Sequence, residues 1–186
     1  MRKSSRRRRQ PARCLDVEQV TRLIEIPGND TYALRDRAIM ELFYSSALRL
    51  QELVSLNRGD IDFPEGVVRV IRKGNVARIV PVGSFALKAV QRWLRARSQL
   101  AKDGEQAVFV GRSGRRLGGR AVQTRVALWA RIQGIATHVH PHMFRHACAT
   151  HVLESSGSIR EVQVEERSAP HARDCSDAHS RRSRLL

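Results

Sequence analysis

Arg49, Lys73, His142 and Arg145 are the side chains whose type and setting best suit work on an anion. Arg49 stands at a predicted helix start, in Ala47-Leu48-Arg49-Leu50-Gln51-Glu52-Leu53, and Lys73 at the tip of a predicted hairpin. His142 and Arg145 are three residues apart, hence on one helix face. Guanidinium groups hold oxyanions with forked, permanently charged donors. An ammonium can give up a proton and an imidazole can take one. Each residue also has an ordinary reading: a surface arginine near a helix N-terminus, a lysine that keeps a turn soluble, a histidine satisfied early in a helix. Taken singly, none of them identifies a site.

The five histidines from His138 to His151 raise the question of zinc, since His142 and His146 are four apart and could chelate. No His-Glu-x-x-His pattern accompanies them and no cysteine lies at a ligand spacing, so a metal site is not expected. Charge points elsewhere. Lys plus Arg number 34 against 18 Asp plus Glu, a formal net charge of +16. A basic chain of this kind suits a polyanion, and nucleic acid is the commonest one. Six of those charges are Arg2, Lys3, Arg6, Arg7, Arg8 and Arg9, and without them the remainder still carries +10 out of +16. Such a run is expected to be a solvated arm that can add salt-dependent phosphate contacts.

The elements that must position these residues follow from periodicity. The 186 residues, 41% hydrophobic, suffice for one compact domain. No apolar run approaches the roughly 20 residues that cross a bilayer, and no apolar stretch follows the basic start, so neither a membrane span nor a signal peptide is expected. Three widely spaced cysteines (Cys14, Cys148, Cys175) exclude a disulfide-stapled fold and suit the cytoplasm. Asp16 with Gln19 predicts a capped helix carrying Val20, Leu23 and Ile24 inward, stopped by Pro27-Gly28-Asn29-Asp30. Helices follow at about 31–44 and 50–55. β-type runs at 67–71 and 77–80 flank a turn at Lys73-Gly74-Asn75. Helices return at about 84–100, 121–133 and 141–154, with a short strand predicted at 107–110. Residues 1–13 read as a basic flexible arm, 14–163 as the folded domain, and 164–186 as a disordered tail.

Three stretches together resemble the boxes of tyrosine recombinases of the Xer type. Tyr44-Ser45-Ser46-Ala47-Leu48-Arg49-Leu50-Gln51-Glu52-Leu53 is similar to their first arginine box. Arg72-Lys73-Gly74-Asn75 through Arg78-Ile79-Val80-Pro81-Val82-Gly83 resembles their lysine hairpin. His138-Val139-His140-Pro141-His142-Met143-Phe144-Arg145-His146, continued by Ala149-Thr150-His151-Val152-Leu153-Glu154, resembles their His-x-x-Arg box, and the order of all three agrees.

The resemblance implies a mainly α fold with a small antiparallel β-sheet, the catalytic-domain fold of these recombinases. It implies double-stranded DNA as partner, other recombinase protomers as companions, and strand cleavage and rejoining without a cofactor or metal, because the cations are side chains. Arg49 and Arg145 would hold the nonbridging oxygens of a five-coordinate phosphorus, donors of a kind worth about 3–4 kcal/mol each. Lys73 would protonate the leaving 5′ oxygen, and His142 would take the nucleophile's proton or hydrogen-bond the phosphate. The family pattern also calls for a Leu-Gly-His motif and a tyrosine nucleophile, which would fall near Ser168 and Asp177. The only tyrosines are Tyr32 and Tyr44. The change of character after Gln163 reads as a shift of reading frame, and only the basic arm stands where the family carries an N-terminal helical domain. Catalysis is therefore expected to be impaired. The alternatives are a non-catalytic DNA-binding module that regulates full-length recombinases, and a degenerate product with an incompletely packed core.

Overall fold

A computed structural model describes residues 15–71 and 76–156. The first helix, α1 (Val17–Ile24), begins as its sequence demands. The Asp16 carboxylate accepts from the Gln19 N–H at 2.7 Å, and the Gln19 side chain accepts from the Asp16 N–H at 3.3 Å. Asp30 caps α2 (Thr31–Ser46) by accepting from the N–H groups of Tyr32 and Ala33. From Ala38 to Ser46 every residue of α2 is buried. A helix covered on all sides is the axis of a core, and α1, α3, α4, α5, α6 and the third strand all pack on it.

After α2 come α3 (Leu50–Ser55), one 3₁₀ turn (Arg58–Asp60), and an antiparallel sheet in the order β1 (Ile61–Asp62), β2 (Val67–Ile71), β3 (Ala77–Pro81). In its register Val68 pairs with Val80 and Ile71 with Ala77. Three helices complete the fold: α4 (Ser84–Arg97), α5 (Gly119–Ile132) and α6 (Pro141–Ser156). Trp93 of α4 stacks on Phe109, and Phe43 of α2 stacks on Phe144 of α6, with ring centroids 6.4 and 6.1 Å apart.

The described helices fall within a few residues of the predicted spans, but the strand predicted at 107–110 is corrected. Ala107, Val108, Phe109 and Val110 are buried, yet they form only isolated bridges, Asn57 with Ala107 and Val110 with Arg116. Their carbonyls are satisfied by side chains instead. Arg97 donates to Ala107, Trp93 to Val108 at 2.9 Å, and Arg35 to Val110. Buried backbone needs partners but not a sheet. The two-residue β1 was not predicted, being too short to show a period.

Buried charge ties the helices together. The Asp36 carboxylate in α2 accepts from Arg35 at 2.8 and 3.0 Å, from Arg125 Nε at 2.5 Å and from the Trp129 indole at 2.9 Å. Each oxygen takes two donors, so α5 is pinned to α2. The predicted arm and tail, and Lys73, lie outside the described residues.

Candidate functional site

The chain turns sharply where α2 hands over to α3. Ala47 ends α2 in the left-handed conformation, φ 46° and ψ 37°, which is costly for a residue with a Cβ. Leu48 is buried and anchors the corner. Arg49 follows in extended conformation as the N-cap of α3, its side chain 45% exposed. Arginine cannot accept a backbone N–H, so α3 is capped in the reverse sense. Glu52, one turn on, reaches back and accepts from the Arg49 N–H at 2.8 Å.

Arg145 arrives at the same corner from α6. The α6 helix packs on α2 through Phe144 and Val152, and this rotation leaves Arg145 half-buried beside the turn. Its guanidinium donates to the Ala47 carbonyl at 2.6 Å. Ala47 and Arg49 are two residues apart, so their Cα atoms are separated by at most about 7 Å. The structure thus brings Arg49 and Arg145 to one corner. His142 sits one turn before Arg145, exposed, with its ring 6.3 Å from that of His140 in an edge-to-face arrangement.

Two residues join the site that the sequence reading had not singled out. Glu52 is 4% exposed, and its Oε2 also accepts from Arg78 of β3 at 2.9 Å, while its Oε1 lies 3.3 Å from Arg49. Burial alone would raise the Glu52 carboxyl, but the Arg49 N–H and the charges of Arg78 and Arg49 outweigh it and hold it below the usual range. Signals for both were present in the sequence. Glu52 is three residues after a cap position, and Arg78 shares its strand face with the buried Val80, since strand side chains alternate. Farther along, Arg116 donates to the carbonyls of Val54 and Leu56 and so closes the C-terminal end of α3.

The other histidines behave differently from His142. His151 is buried, with its Nδ1 3.1 Å from the Tyr44 hydroxyl. Burial pushes its pKa down, against the opposing pull of Glu154 and the Leu15 backbone. It is a packing histidine between α6 and α2. Burial, then the neighbouring His142, His138 and His146, push His140 down as well. Among the described residues no three His, Cys, Asp or Glu side chains gather closely enough to hold a metal ion, and no helix is long and apolar enough to cross a membrane. A cavity of about 510 Å³ lies between the end of α5 and the turn before α6, lined by Ala127, Ala130, Ile135 and Val139 among others, and includes none of the predicted site residues.

Comparison with known proteins places this geometry in a family. Residues 13–165 match the model described as the Phage integrase family. Tyrosine recombinase XerC of Shewanella sp. (strain W3-18-1) is 50% identical over 149 residues, 80% of this chain and 49% of that protein. Its counterpart from Vibrio vulnificus (strain YJ016) is 46% identical over 158 residues, 85% of this chain and 50% of that protein. The chain therefore spans about half the length of the curated relatives it matches. Among solved structures, XerA recombinase matches with a TM-score of 0.71 at 31% identity, over 81% of this chain and 54% of that one. XerH bound to its palindromic difH substrate in a post-cleavage complex gives a TM-score of 0.70 over 92% of this chain and 51% of that one; at 20% identity this is a likeness of fold.

Proposed function

The chain belongs to the phage integrase family, the tyrosine recombinases, and from that footing we propose that it binds double-stranded DNA and seats one backbone phosphate at the α2–α3 corner between Arg49 and Arg145. The observation that carries this reading is the bond from Arg145 to the Ala47 carbonyl, which sets one guanidinium two residues from the other. A guanidinium bound through one nitrogen to a backbone carbonyl keeps its remaining N–H groups in a fixed plane, ready for an oxyanion. Two such groups answer the charge that grows on the nonbridging oxygens when phosphorus becomes five-coordinate.

Transfer of that phosphate to a tyrosine would form one O–P bond and break the bond to the 5′ oxygen, which must gain a proton. Lys73 is the proposed donor, and His142 the group that receives the nucleophile's proton or bonds the phosphate. The nucleophile itself is wanting in these 186 residues. Tyr32 and Tyr44 both lie in α2, and Tyr44 is buried against His151. This polypeptide therefore occupies recombination DNA without forming a phosphotyrosyl bond, which favours a non-catalytic, DNA-occupying role beside full-length recombinase protomers. The basic residues before Leu15 add phosphate contacts without sequence information.

Two assays on the 186-residue chain test this. Binding to a labelled duplex with a Xer-type site should fall steeply with salt. A nicked suicide duplex should yield no covalent protein–DNA adduct. Salt-insensitive binding would remove the phosphate site, and an adduct would remove the non-catalytic role.

A further inference from the structure

The two oxygens of Glu52 are used unequally. Oε2 accepts the Arg49 N–H at 2.8 Å and Arg78 at 2.9 Å, whereas Oε1 meets the Arg49 guanidinium only at 3.3 Å. A buried carboxylate beside an arginine three residues away would ordinarily close on it in a forked pair. Here the Arg49 side chain stays 45% exposed. Arg78 stays in place although its own Nε is buried without a hydrogen-bond partner among the described residues. A buried unsatisfied donor costs free energy, so its geometry is fitted to Glu52 rather than to its own satisfaction. Arg78 is also the second residue of β3, the strand that follows the Lys73 segment.

We propose that Arg78 is a positioning residue for the phosphate site: by holding Oε2 of Glu52 it keeps that buried carboxylate from closing onto the Arg49 guanidinium, and so leaves Arg49 available to a DNA phosphate. This rests on the phosphate reading given above. Arg78 does not touch the phosphate; it acts through Glu52 on Arg49. Removing it leaves Glu52 a buried anion with Arg49 as the remaining described guanidinium partner, and Arg49 is drawn in. The same loss relieves the pull that holds the Glu52 carboxyl low, so protonation of Glu52 at reduced pH should release Arg49 again.

The experiment uses the full 186-residue chain, a fluorescein-labelled duplex with a Xer-type site, and anisotropy titrations across salt and pH. Arg78→Ala should bind about tenfold more weakly than wild type, with a log–log salt slope shallower by about one phosphate contact. The double variant R78A/E52Q should recover most of the affinity and the slope, because glutamine still accepts the Arg49 N–H but has no charge to sequester the guanidinium. The ratio of wild-type to R78A affinity should shrink as the pH falls toward the carboxylate range. His138, His140, His142 and His146 titrate in both proteins, which is why the ratio is read. Thermal melts accompany each variant, and where R78A fails to fold, Arg78→Gln replaces it with the same expected outcomes. Wild-type affinity in R78A, or a double variant as weak as R78A, overturns the proposal; the latter would mean that Arg78 meets the DNA itself. A wild-type chain without salt-dependent binding overturns the phosphate reading and this proposal with it.

Discussion

Replacing Arg145 tests whether the corner is one phosphate site or two unrelated surface charges. Its guanidinium is half-buried and spends one N–H on the Ala47 carbonyl at 2.6 Å. A hydrogen bond from a charged donor contributes about 1.5–3 kcal/mol, so Arg145→Ala should cost roughly 2 kcal/mol of stability through the turn alone. The same change should weaken DNA binding by about 10- to 100-fold, the weight of one charge-assisted phosphate contact. The salt slope should become shallower by about 0.9. Arg145→Lys keeps the charge, and hence the slope, but a point charge cannot serve carbonyl and phosphate in one plane; its affinity should fall between the two. Because Arg49 and Arg145 share one phosphate in this reading, R49A and R145A should be non-additive by at least about 0.5 kcal/mol in a double-mutant cycle. Anisotropy titrations over a salt series, with calorimetric melts beside them, measure all of this. An unchanged slope in R145A, or strictly additive losses with a slope change of two contacts, would refute the shared site.

Three further outcomes follow from other parts of the fold. Asp36→Asn removes the fully buried anion that answers Arg35 and Arg125; it should destabilise the chain by about 3–5 kcal/mol and lower Tm by roughly 10 °C, and a melt within a degree of wild type would count against the hub. Gly114→Ala places a Cβ 2.5 Å from the Leu100 carbonyl at a φ of +72°, so it should cost about 2 kcal/mol in a denaturant titration. His151 has its pKa pushed down chiefly by burial, from an ordinary 6.5. Its neutral form is the one that folding favours, so its contribution to stability is full above about pH 6.5 and is lost as the pH falls from there through the folded value. His151→Gln, which hydrogen-bonds but does not titrate, should flatten the fall of Tm over that acidic window, and an unaltered profile would show that other histidines carry it.

The helices were legible because their signals are local. Asp16 and Asp30 are caps, apolar residues recur at helical spacing, and Pro27-Gly28 ends a run. The segment 107–110 was misjudged because four apolar residues look alike whether their carbonyls meet a strand or the side chains of Trp93 and Arg97. The left-handed Ala47 was invisible for a similar reason: alanine advertises helix, and only the packing of Leu48 and the bond from Arg145 make the turn acceptable. The meeting of Arg145 with the corner spans 98 residues of sequence, so no periodicity could announce it. It was legible only through the resemblance of three separated boxes to one family.

That long-range bond also explains why the site need not wait for DNA to assemble. The corner at Ala47 carries backbone strain, and strain persists only where the surroundings over-determine it. Here they do so from four sides. Leu48 is buried beneath the turn, Arg145 holds the Ala47 carbonyl, Glu52 holds the Arg49 N–H, and Arg116 closes the far end of α3. Arg49 cannot shift without disturbing Glu52, nor Ala47 without disturbing Arg145. The cation pair is therefore part of the folded scaffold rather than two flexible surface chains, and the cost of orienting its donors is met during folding, before any phosphate arrives.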